Sequence, residues 1–290
     1  MKIWLWITVC VVSAFSLFFR VLVETYEMLS DVSSLLVTGL YPWFVMFVCL
    51  VFLYLNKGRV LAEIEKAVGF IPSLAYASLG SFLCCASTLL FWLFNSAEIP
   101  LKISFVLLFY LGVFMIFFGE ASVIPAILLC VYFFSVISPL FVQTFLEIPF
   151  SMASILLVVP VLWIFGIPAQ FHDTLISFPS AHGENMTVFI DSRCAGSASL
   201  TVFIALFILM YMDLPLPKRE ASKFLALGTV GTFLQNILRL ASLCIAGYYY
   251  GYSALWQVHM YAGYIIFGVY FTIFSYLYIT AAKTSRRLNA

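Results

Sequence analysis

The chain is 290 residues long, 64% hydrophobic and only 9% charged, with a mean hydropathy of +1.10. A soluble domain carries roughly 25% charged residues, so a soluble globular fold is excluded and the chain reads as an integral membrane protein. Fourteen Lys and Arg against thirteen Asp and Glu leave a net charge of +1, which argues against a nucleic-acid partner.

A helix crossing the hydrocarbon core needs about 20 apolar residues. The first such run, 3–23, follows Lys2 and has no small-residue cleavage site after it, so it reads as an uncleaved helix. Further candidates follow at 36–55, 72–95, 99–119, 122–145, 149–168, 194–212, 222–248 and 254–280. Residues 60–71 (VLAEIEKAVGFI) combine helical periodicity with mixed charge, which suits an interfacial helix. Three basic clusters are predicted to lie in the cytoplasm, as is Lys2: Lys57, Arg59 and Lys66; Lys218, Arg219 and Lys223; and Lys283, Arg286 and Arg287. Nine full crossings cannot begin and end on one side. One segment is therefore expected not to cross, with 122–145 and 149–168 as candidates because Pro125, Pro139, Pro149 and Pro160 interrupt them. The expected fold is all-α: a polytopic transmembrane helical bundle of about eight spanning helices plus one re-entrant or interfacial segment, in a single membrane domain over 1–290. The polar stretch 169–193 (ending FHDTLISFPSAHGENMTVFIDSR) alternates in strand fashion and carries turn formers at Pro179 and Gly183. It predicts a short extracytoplasmic β-like hairpin ahead of Cys194.

The last three segments carry the chemistry. Cys194 opens one of them, on the outer side if the basic stretch 218–223 is cytoplasmic. Arg239 lies 17 residues beyond Ser222, a rise of about 26 Å along a helix, which also reaches the outer edge. His259 begins the last segment at that edge. A thiol, a fixed cation and a titratable imidazole at one depth supply a nucleophile, an oxyanion partner and a base. A helix N-terminus and the neighbouring Arg193 predict thiolate character at Cys194. Gly196 and Ser197 are small enough to admit a substrate or a second helix, and Asn236 shares a helix face with Arg239. Each residue alone has a plainer reading: a boundary cysteine against lipid, an arginine snorkelling to headgroups, a histidine satisfied in the core. Six of the seven cysteines lie in apolar runs, and no CxxC or Cys/His ligand spacing occurs, which argues against a structural metal.

Read together, Cys194-Ala195-Gly196, Asn236-Ile237-Leu238-Arg239 and His259-Met260-Tyr261-Ala262-Gly263 give C-x-G, N-x-x-R and H-x3-G in three successive segments. Over about 115–280 this resembles the exosortase/archaeosortase family of membrane transpeptidases, with 1–115 as variable N-terminal helices. Ala195 stands where many members carry Ser. The resemblance implies a multi-pass protein of a prokaryotic cell membrane whose site faces outward. It also implies a thiol peptidase, without cofactor or metal, that cleaves secreted proteins ending in a sorting signal of short motif, transmembrane helix and basic tail. In that scheme Cys194 forms a thioester, Arg239 holds the oxyanion, His259 moves protons, and Asn236, Gly196, Ser197 and Arg193 support or bind substrate. The product passes to an amine or lipid acceptor.

Two other classes compete. Phe178-Pro179-Ser180-Ala181-His182 resembles an element of membrane phosphatidic-acid phosphatases, which would make His182 the key residue. The remaining phosphatase elements are missing, although Ser192-Arg193 begins something like one of them. A transporter or structural protein would instead distribute its charges along a path across the bilayer, and here Arg20 is the main one away from the outer edge.

Overall fold

The computed structural model describes residues 2–30, 40–68 and 73–288, and the chain divides into two compact units, Met1–Ile137 and Ser138–Ala290.

In the first unit, α1 (Lys2–Ser16) and α2 (Phe19–Ser30) replace the single helix expected over 3–23. The chain bends by 72° between them. Ring edges of Phe91, Phe109 and Tyr110 surround Phe18 at the bend, and that aromatic packing holds the broken geometry. α3 (Tyr41–Leu55) meets α4 (Lys57–Val68) at a 62° bend. α4 is the helix expected from the 60–71 periodicity, of which 69–71 lie outside the described residues, as do 36–39 of the second candidate and 72 of the third. α5 (Leu74–Leu93) and α6 (Ile99–Phe118) form a hairpin in which a Cβ on Gly80 would come within 2.6 Å of the Gly112 carbonyl, and the reverse. Two backbones that close require glycine on both sides. Arg20 does not stand alone: its Nε bonds Glu24 at 2.9 Å, and Glu24 also binds the buried Lys102 ammonium at 2.8 Å. A 3-10 turn, Gly119–Ser122, leads into α7 (Val123–Phe145).

The second unit continues with α8 (Glu147–Ile164), strands β1 (Gln170–His172), β2 (Leu175–Pro179) and β3 (Asn185–Phe189), then α9 (Ser197–Asp213), α10 (Lys218–Tyr250) and α11 (Tyr252–Leu288). The expected hairpin is a three-stranded antiparallel sheet in the order β1-β2-β3. Its buried side chains, Ile176, Phe178 and Met186, join Ile155, Val158, Leu162, Leu240 and Cys244 in one core cluster that ties the sheet to α8 and α10. A second cluster of Phe203, Phe207, Phe274 and Tyr278 joins α9 to α11, and the Tyr278 hydroxyl donates to the Leu214 carbonyl at 2.8 Å.

The prolines do not break the segments in which a re-entrant piece was expected, since α7 and α8 are continuous helices. Pro125 and Pro149 fall in first turns, where no intrahelical N–H bond is lost, while Pro139 and Pro160 are carried inside. The sharp bends lie earlier, at α1–α2 and α3–α4. Lys218, Arg219 and Lys223 are not a loop but the opening turns of α10, capped by Pro217, and Lys223 pairs with Glu220 at 2.8 Å. The basic tail likewise continues α11. Among the described residues, five helical stretches are long and apolar enough to cross a membrane, with α6, the 3-10 turn and α7 counted as the single stretch Ile99–Phe145, or up to seven if each bent pair counts as one span, and α9 is a shorter apolar helix.

Candidate active site

The chain leaves β3 and closes the sheet with the Ile190 N–H on the Thr174 carbonyl at 2.8 Å. It then turns through 191–196 into α9. Asp191 organises that turn: its Oδ1 accepts the Cys194 N–H at 2.7 Å and its carbonyl accepts the Ala195 N–H at 2.8 Å. This is the local bonding for which Asp is favoured in turns. Gly196 caps α9 with φ of 104°, a conformation glycine adopts without strain. A Cβ there would sit 2.8 Å from Asn236 Cγ, so the turn needs glycine twice over.

That close approach lets Asn236, fully buried on α10, serve two neighbours. Its Nδ2 donates to the Cys194 carbonyl at 3.0 Å, and its Oδ1 accepts from Arg239 Nη1 at 3.4 Å. The Arg239 Nε is buried and has no partner among the described residues. Gly263 of α11 lies against it, since a Cβ there would come within 2.9 Å of Nε. His259, one turn earlier on α11, stacks on Trp256 with ring centroids 5.4 Å apart. A cavity of about 400 Å³ has Cys194 and His259 on the same wall system, closed by β3 on one side and by Tyr252 and Trp256 on another. Arg239 and Asp191 are the charged groups close enough to act on both the thiol and the imidazole.

Burial pushes the Cys194 thiol up to about 12. The Asp191 charge, and a hydrogen bond between thiol and carboxylate, push the same way, while Arg239 and the backbone bond pull it down. The expected thiolate is therefore a protonated thiol at rest. No helix terminus lies at the thiol, because α9 begins only at Ser197, three positions past Cys194. Arg193 is exposed and bonds Gln143 at 3.3 Å, away from the thiol. Ser197 is buried in the first turn of α9, and its Oγ finds no partner among the described residues. Asp191 was missed because, in DSRC, it reads only as turn context. The available signal was an Asx residue three positions before a cysteine, the spacing at which a carboxylate caps the cysteine amide.

His182 stands in the exposed β2–β3 turn with its ring on the Tyr249 carbonyl at 3.3 Å, and it does not line the cavity. No cluster of potential metal ligands occurs among the described residues.

A family model described as transmembrane exosortase (Exosortase_EpsH) matches residues 40–276, a range that contains the motifs at 194–196, 236–239 and 259–263 and begins well before residue 115. No curated protein and no solved structure matches.

Proposed function

The chain belongs to the transmembrane exosortase family, and on that footing we propose that it is a thiol-dependent transpeptidase acting at the outer face of the cell membrane. Its substrates are secreted proteins ending in a short motif, a transmembrane helix and a basic tail. The observation that carries the reading is the shared cavity of Cys194 and His259, backed by the Asn236–Arg239 pair on the cysteine carbonyl.

The thiol proton passes to the His259 imidazole as Cys194 Sγ attacks the scissile carbonyl carbon. Arg239, with a donor left unpaired in a buried setting, stabilises the oxyanion. Asp191 offsets the imidazolium charge while it lasts. The C–N bond then breaks, the leaving amine takes the proton from His259, and a thioester remains. An amine or hydroxyl acceptor attacks the thioester, gives its proton to His259 and expels the cysteine sulfur, which is reprotonated. Asn236 fixes the cysteine backbone and the guanidinium in one frame.

Cys194→Ala should abolish removal of the C-terminal tail from such a secreted protein of the same genome, read by its mass, while the variant still accumulates in the membrane. Full processing by that variant would refute the thiol mechanism. Loss with His182→Ala while Cys194→Ala is tolerated would favour phosphatase chemistry instead.

A further inference from the structure

Among the described residues, β3 is an edge strand, bonded to β2 on one side only. Its register shows which of its backbone groups are left over. Ile190 donates to Thr174, and Ser180 donates to the Glu184 carbonyl. Hydrogen-bonded pairs in an antiparallel ladder alternate with unbonded ones. The pairs Ile176↔Val188 and Phe178↔Met186 are therefore the bonded ones between those two ends. Leu175↔Phe189, Ser177↔Thr187 and Pro179↔Asn185 are unbonded. Pro179, which has no N–H, falls in an unbonded pair as the pattern requires. The N–H and C=O groups of Asn185, Thr187 and Phe189 thus point to the free edge, and no backbone bond to them occurs among the described residues.

That edge is the cavity wall. Residues 184–190 all line the cavity with Cys194 and His259, whereas β2 contributes none of its residues. Native proteins blunt free edges with lysine, proline, bulges or coverings, and Asn185–Phe189 (NMTVF) carries neither lysine nor proline. We infer that the free edge of β3 is the substrate-binding element: an extended segment of the sorting signal, next to the scissile bond, adds as a fourth strand along Asn185, Thr187 and Phe189. This rests on the transpeptidase reading and goes beyond it by assigning how the substrate is held. A thiol attacks a backbone carbonyl only where the peptide is unwound, because carbonyls inside a helix are already bonded and covered. Strand addition fixes the peptide in that extended state, and main-chain bonds give affinity while alternate side chains give specificity. The five residues of β3 span about 15 Å, enough for a short motif whose end reaches the turn bearing Cys194.

The test uses the full-length enzyme co-expressed with one secreted protein of the same genome that ends in motif, span and basic tail. Thr187→Pro deletes an outward N–H and leaves every backbone bond to β2 in place, whereas Thr187→Ala keeps that N–H; both lose the 3.4 Å hydrogen bond between the Thr187 and Ser177 hydroxyls, so it cancels in the comparison. Processing should be at least about tenfold lower with proline than with alanine, with equal iodoacetamide labelling of Cys194 in both. Normal processing by Thr187→Pro overturns the inference. If Cys194→Ala is inactive in the same cells, that result leaves the transpeptidase reading standing. If proline disturbs the fold, seen as altered Cys194 labelling, photo-crosslinking from benzoylphenylalanine at position 189 in the Cys194→Ala enzyme decides. Adducts at every second substrate residue near the cleavage point support strand addition. A three-to-four-residue period, no substrate adduct, or crosslinks only between two enzyme copies overturns it.

Discussion

Arg239 and Asp191 differ in what they do to the thiol, and substitution separates them. Arg239 reaches Asn236 through Nη1 and leaves Nε without a partner among the described residues, a division of labour that depends on a planar fork of donors. Lysine keeps the charge but offers a point donor on a shorter reach. Arg239→Lys should therefore lose most processing, on the order of 100-fold if the lost donor is an oxyanion contact, although membrane insertion is unchanged. Near-normal processing would demote Arg239 to a headgroup anchor. Asp191 raises the thiol and offsets charge on His259. With Asp191→Asn, Oδ1 still accepts the Cys194 amide but the negative charge is gone. The alkylation profile of Cys194 should move to lower pH, so that labelling at fixed pH is faster, while processing falls by at least about tenfold. Both quantities falling together would mean that Asp191 only holds the turn.

The elements meet at the site through small residues more than through large ones. Gly196 lets the turn before α9 touch Asn236 of α10, and Gly263 lets α11 lie against the Arg239 side chain. Gly196→Ala adds a Cβ 2.8 Å from Asn236 Cγ and holds a non-glycine residue at φ of 104°, which costs roughly 1–3 kcal/mol. The protein should still accumulate in membranes, with lower thermal stability in detergent. Processing should drop by more than the fall in folded protein, because Asn236 is pushed off the Cys194 carbonyl. Equal losses in stability and processing would confine Gly196 to a structural role.

At the scale of the whole molecule, the sequence disclosed what periodicity and polarity encode. Apolar runs mark α5 through α11. The pattern TVFID marks a strand, and Cys194, Asn236 and His259 stand out because polar groups in apolar segments are rare. The bend at α1–α2 stayed hidden, since aromatic packing around Phe18 depends on Phe91 and Phe109, far away in the chain, whereas the α3–α4 junction falls where the sequence already separates 36–55 from the mixed-charge helix at 60–71. The state of the thiol stayed hidden because burial, its largest cause, depends on neighbours in space, although Asp191, three residues before it, adds to the same shift. The sidedness proposed for the site follows from basic clusters alone. A protease site inserted at Gly183, in the exposed β2–β3 turn, should be cut in intact cells by protease added outside, and one inserted after Asp213 only after permeabilisation. The opposite pattern would place the cavity in the cytoplasm.

The protonated state of Cys194 also bears on how long the thiol lasts. Peroxides and disulfides react with the thiolate, not the neutral thiol. At about 12, the anion is on the order of one part in 10⁵ at pH 7. A thiol held this way resists sulfenic acid formation and mixed disulfides. Under the proposed mechanism, activation comes with the substrate, when His259 takes the proton, and the oxidation-prone anion exists only during turnover.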